Sequence, residues 1–146
     1  MSVCDDRFLD RHVISNPAAR LGATRDAVLV LHRALLSNER IAWEALNGRV
    51  ADNPEFLQLV IHDPWFVWLR PLTALIAAMD EAMAETDPSR EAESRVPALL
   101  ATTRELLRPD DQGDDFQQRY YEFVQRSPEV AVAHGMAMKA LTAAMA

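Results

Sequence analysis

Three polar side chains fall at the centres of otherwise apolar helical arcs: His32 and Glu39 within residues 24–47, and His134 within residues 128–145. A carboxylate and two imidazoles turned into a helical bundle are the materials of a small-ligand or metal site, because bundle enzymes hold their ions with inward Glu and His. The spacing opposes a metal. His32 and Glu39 stand seven residues apart, about 10.5 Å along a helix, whereas the ligands of one ion converge to about 2–2.5 Å from it. No Glu and His lie three or four residues apart on any expected helix, so the di-iron carboxylate pattern is missing. His32, Glu39 and His134 are therefore candidate ligand-binding residues with no metal and no cofactor expected. The plainer reading is a hydrogen-bonded core pair, Glu39 with one histidine, since buried polar groups need partners.

Other constellations resolve into structure. His62 beside Asp63 suggests a catalytic dyad, but adjacent helical residues face different ways, and Asp63 before Pro64 is a helix cap. The run Asp110, Asp111, Gln112, Gly113, Asp114, Asp115 suggests calcium. A loop starting at Asp111 puts Glu122 at position 12 but Phe116 at position 6, where an EF-hand requires glycine. Its last acids suit the N-terminus of the next helix instead. Cys4 is a poor nucleophile, flanked by Asp5 and Asp6, whose charges oppose a thiolate. Trp43, Trp65, Trp68 and six methionines could line an apolar pocket, yet at helical spacing such residues are first of all core. Phosphate-cradling glycine loops, a GxSxG elbow and CxxC pairs are absent.

The elements that must position these residues are written in proline grammar. Asn16-Pro17, Asn53-Pro54, Asp63-Pro64, Asp87-Pro88 and Ser127-Pro128 each place a capping residue before a proline and open a stretch of helical periodicity. The expected helices are 24–47 closed by Gly48, 54–62, 64–85 with Pro71 kinking it or splitting off a first turn, 88–107 broken at Pro97, 115–126 and 128–145. Nothing alternates like a strand, and four glycines are too few for an all-β chain. The expected fold is all-α, an irregular antiparallel bundle of five or six helices over residues 24–146, preceded by an irregular or partly helical lead, 1–23. Its inward arcs are Val28, Leu31, Leu35, Leu36, Ala42, Trp43 and Leu46; Trp65, Trp68, Leu69, Leu72, Leu75, Ile76, Met79 and Met83; Phe116, Tyr120, Phe123 and Val124; and Val130, Ala133, Ala137, Leu141 and Ala144.

The stretch DPWFVWLRPL at 63–72, with LHRALLSNER at 31–40 and QQRYYE at 117–122, resembles a family of small all-helical bacterial proteins. The resemblance spans about residues 28–135. It implies a helical fold and brings no activity and no functional residue with it.

Composition narrows the function classes. The chain has 146 residues and a net charge of −7, which opposes nucleic-acid and anionic-membrane surfaces. The single cysteine, the absence of an apolar leader in Met1–Asp10 and the absence of any long apolar run indicate a cytoplasmic protein with no membrane span. A second stripe on the long helix, Val30, Ala34, Ile41 and Ala45, lies opposite its core arc. Exposed apolar rows call for a cover, either the lead residues Phe8, Leu9, Val13 and Ile14 or another copy of the chain. The leading expectation is a non-enzymatic interaction or regulatory protein, homo-oligomeric through Val30, Ala34 and Ile41. The alternative is a ligand- or metal-binding bundle, an enzyme included, using His32, Glu39 and His134.

Overall fold

The computed structural model describes residues 17–85 and 90–146, and within them the chain is all helical. In chain order the elements are α1 (Pro17–Asn47), α2 (Asn53–His62), a 3-10 segment (Pro64–Leu69), α3 (Arg70–Ala84), α4 (Arg90–Leu106), α5 (Asp115–Arg126) and α6 (Pro128–Met145). The lead residues Phe8, Leu9, Val13 and Ile14, Cys4 and the Asp87-Pro88 cap lie outside the described residues.

Caps set most boundaries by satisfying the backbone N–H groups that a first helical turn leaves orphaned. The Asp63 carboxylate accepts from Trp65 N at 2.9 Å, and the Ser127 hydroxyl from Val130 N at 3.3 Å. Asp114 accepts from Gln117 N at 2.9 Å while the Gln117 side chain accepts from Asp114 N at 3.1 Å, a complete capping box. The acidic loop thus ends as a helix start, and Asp110 turns inward on it, accepting from Gln112 N at 2.9 Å. α2 is capped by Asp52 rather than Asn53, with Glu55 N as donor at 2.9 Å. Gly48 closes α1 at φ +91°, a left-handed conformation that glycine adopts without a Cβ penalty.

Two features differ from expectation, the start of α1 and the continuity of α4, and one of the two outcomes expected at Pro71 is realised. α1 begins at Pro17, seven residues before Thr24, and its Leu21 is fully buried. Burying that side chain outweighs the roughly 1 kcal/mol that Gly22 costs inside a helix. Pro71 does split off a first turn, as the separate 3-10 segment. Pro97 breaks nothing: α4 runs through it, because one lost backbone hydrogen bond is outweighed by the buried Val96, Leu100, Thr103 and Leu107 around it.

α1 is the spine. It packs antiparallel on α3, where Arg25 Nε donates to Asp80 at 2.7 Å and Trp68 meets Glu39, and antiparallel on α6, where Thr24 reaches the Ala140 carbonyl and Asn38 reaches Glu129. α4 closes the ring against α3, α6 and α1; α2, the 3-10 segment and α5 cover one end. The main core joins Val28, Leu31 and Leu35 to Phe66, Trp68, Leu72, Met79, Phe116 and Tyr120, and a second cluster around Leu21, Val96, Leu100 and Leu141 fills the other end. Leu46, expected in the core, is 75% exposed. The reason is length: α6 starts beside Asn38, so the last two turns of α1 run beyond it.

Candidate functional site

Glu39 is buried on α1 amid apolar side chains, and the 3-10 segment supplies its partner. Trp68 Nε1 donates to Glu39 Oε2 at 2.8 Å. The expected histidine partner is thereby replaced by an indole. The 3-10 turn sets Trp65 and Trp68 three residues apart on one side, so both rings turn toward α1. Trp65 Nε1 is buried and makes no hydrogen bond, although it lies near enough to Glu39 to favour its charged form. Burial pushes the Glu39 carboxyl above its usual value, against the opposing pull of Trp68 and of the Arg119 and Arg126 charges. The Trp68 ring is committed to packing: it stacks on Phe123 at 5.5 Å with planes 6° apart and meets Phe116 at 5.5 Å.

The two histidines go elsewhere. His32 Nε2 contacts Thr73 Oγ1 of α3 at 3.2 Å, and His134 Nδ1 contacts the Tyr120 hydroxyl of α5 at 2.5 Å. Both rings are half-buried rather than enclosed. Each of the three candidate residues therefore has its own partner from a different element. Among the described residues no group of three or more His, Cys, Asp or Glu converges on a point that could hold a metal. His62 is exposed and Asp63 is spent as a cap, so no dyad forms.

This arrangement has a pH consequence. Burial holds both imidazoles below their ordinary value and pushes the Tyr120 phenol up, so Tyr120 donates and neutral His134 accepts. A depressed histidine stabilises the fold fully above the unfolded value of 6.5, and that stability is lost as pH falls through the lower native value. Denaturant melts from pH 7.5 to pH 5 are expected to show the loss. His134→Gln, which keeps an acceptor for Tyr120, should flatten part of it; an identical slope in the variant would remove His134 as a source.

Of the concavities among the described residues, a shallow one lies beside Leu59, His62 and Asp63 and two others are larger. A cleft of about 460 Å³ is walled by Pro64, Trp65, Trp68, Pro71 and Phe116, with Arg119 at its edge. Arg119 is already paired with Asp115 at 3.2 Å, so the cleft offers mainly ring edges that the core also uses. The larger, about 700 Å³, is a groove between α1 and α6 whose walls carry Val30, Ala34 and Ser37 on one side and Val132, Ala133 and Met136 on the other. Val30 is 45%, Val132 64% and Met136 55% exposed.

The groove corrects the expected stripe. Ala34 is 3% exposed, because Ala133 and Ala137 let α6 approach α1 closely and cover it. Val30 and Ile41 stay open, and Val132 and Met136 join them from α6. These two were legible as the apolar pair four residues apart on the side of 128–145 opposite Val130, Ala133, Ala137 and Leu141. No family model, no curated protein and no solved structure matches the chain. These comparisons add nothing to the resemblance carried by 63–72, 31–40 and 117–122, and no helix among the described residues is long and apolar enough to cross a membrane.

Proposed function

We propose that the protein works by contact rather than by chemistry, as a helical interaction module whose working face is the α1–α6 groove. One observation carries this reading: Val30, Val132 and Met136 line a single groove and are about half exposed or more. Apolar surface gathered in a concavity is what a partner covers, at about 25 cal/mol for every Å² removed from water. The polar candidates argue in the same direction, since His32, Glu39 and His134 are each engaged by Thr73, Trp68 and Tyr120 and leave no reactive group at a shared point. The setting proposed is the cytoplasm, where the lone Cys4 needs no disulfide.

Thiol labelling in the producing cell tests this. In a Cys4→Ser background, Met136→Cys places a thiol on the groove wall and Gln125→Cys places one on exposed polar surface. The thiol at position 136 is expected to react several-fold more slowly with N-ethylmaleimide in intact cells than in dilute purified protein, while the thiol at 125 reacts alike in both. Equal protection ratios at the two positions would show that nothing covers the groove and would end the reading.

A further inference from the structure

The charges beside the groove identify its occupant. α1 carries Asp26 and Arg33 on the face that presents Val30 and Ser37, because 26, 30, 33 and 37 repeat at helical spacing. α6 carries Glu129 and Lys139 on the face that presents Val132 and Met136. All four are exposed. Neither Arg33 nor Lys139 forms an ion pair among the described residues, although Glu129 lines the wall facing Arg33, and Asp26, which holds Arg25 of its own helix at 3.2 Å and stays exposed, continues the wall facing Lys139 beyond the groove. Each wall thus has one acid and one base, in opposite order along the groove: Asp26 is level with Lys139, since Thr24 meets Ala140, and Arg33 lies about one turn from Glu129, since Asn38 meets Glu129.

We infer that the groove is occupied by a second copy of the chain, related by a two-fold axis running along it, so that α1 of each copy lies on α6 of the other. This rests on the groove being the working face. A rotation about that axis keeps every residue at its own height and exchanges the walls. Lys139 then faces the partner's Asp26, Arg33 reaches the partner's Glu129, and Val30 packs on the partner's Val132 and Met136. Each contact occurs twice, and the result is a four-helix layer in which neighbouring helices are antiparallel. A two-fold axis across the groove fails by the same reasoning. Centred on the groove, it would set Arg33 beside its own copy, a like-charge contact at an apolar seam. A partner of one dominant charge is also a poor match, because each wall would repel it at one end.

Reciprocal charge reversal tests the arrangement. Wild-type protein is expected to have the mass of a dimer by light scattering at about 100 μM. Arg33→Glu and Glu129→Arg should each weaken the dimer about tenfold or more, since both symmetric pairs become like-charged. An equimolar mixture of the two variants should regain the dimer, because each copy then meets an opposite charge at both contacts. Circular-dichroism melts at low concentration check that both variants fold, as expected for exposed positions. A dimer in the wild type that the mixture fails to restore would overturn the two-fold arrangement. A wild-type monomer at 100 μM would overturn the second copy as occupant; the groove itself is judged separately, because thiol protection at position 136 in cells would persist with another occupant and vanish with none.

Discussion

Truncating Trp68 to alanine is expected to cost about 3–5 kcal/mol of folding stability, the range for removing a large buried aromatic side chain. Three losses combine in that figure. The ring is 6% exposed and fills the junction between α1, the 3-10 segment and α5, so its removal leaves a cavity that rigid helices close only in part. Its stacking on Phe123 and its contact with Phe116 disappear. The Glu39 carboxylate loses its indole donor while still buried. Domains of this size are stable by roughly 5–15 kcal/mol, so the variant loses a large fraction of that margin. Trp68→Phe separates the terms in part: it keeps a six-membered ring for the contacts with Phe123 and Phe116, removes the pyrrole ring with its N–H, and should cost about 1–3 kcal/mol. Urea melts at pH 7 measure both. A Trp68→Ala change under about 1 kcal/mol would mean that the ring does not anchor the junction, and would turn the DPWFVWLRP stretch from a core element into free surface.

The architecture was readable because its punctuation is local. A cap followed by proline needs only neighbouring residues to act, and Asp63-Pro64 and Ser127-Pro128 begin helical segments where the sequence places them. The misreadings arise where a distant element overrides a local signal. Leu21 draws α1 through Gly22 by burial against α4 and α6, and the packing around Pro97 keeps α4 whole. Ala34 is expected under the lead or a second copy but lies under α6, because a helical wheel gives the direction of a side chain but not what stands opposite it. The same limit governs the polar trio. Its inward orientation was legible for Glu39, yet the partners lie 29, 41 and 14 residues away, at Trp68 for Glu39, Thr73 for His32 and Tyr120 for His134. Each pairing depends on the register between helices, which single-helix periodicity does not contain. The groove is a property of two helices at once: Val30 on α1 and the apolar pair Val132 and Met136 on α6 are each legible in the sequence, but that they form the two walls of one groove is not.

Replacing Glu39 by glutamine is expected to stabilise the protein at neutral pH and to remove one component of its pH dependence. The carboxyl of Glu39 is raised by burial above the ordinary value of 4.5. Below 4.5 it is protonated in both folded and unfolded chains, and its contribution to stability is fully present. As pH rises, the unfolded chain ionises first, so stability falls until the folded chain also ionises, and is level thereafter. Glutamine keeps an oxygen for Trp68 Nε1 but cannot ionise. The difference between Glu39→Gln and wild type should therefore be small at pH 4 and grow in favour of the variant up to neutral pH. Glu39→Leu gives the complementary sign. At pH 4 it leaves the Trp68 N–H as unpaired as that of Trp65, at a cost of about 1–3 kcal/mol. That deficit should shrink as pH rises, because the wild type then bears the cost of a buried charge that leucine avoids. Taking differences at each pH cancels the titration of every other group, including the two histidines. Parallel curves for wild type and Glu39→Gln would show that the carboxyl titrates alike in folded and unfolded chains. In that event Glu39 is solvated, its bond to Trp68 is not a buried one, and it returns to the set of groups free to meet a ligand.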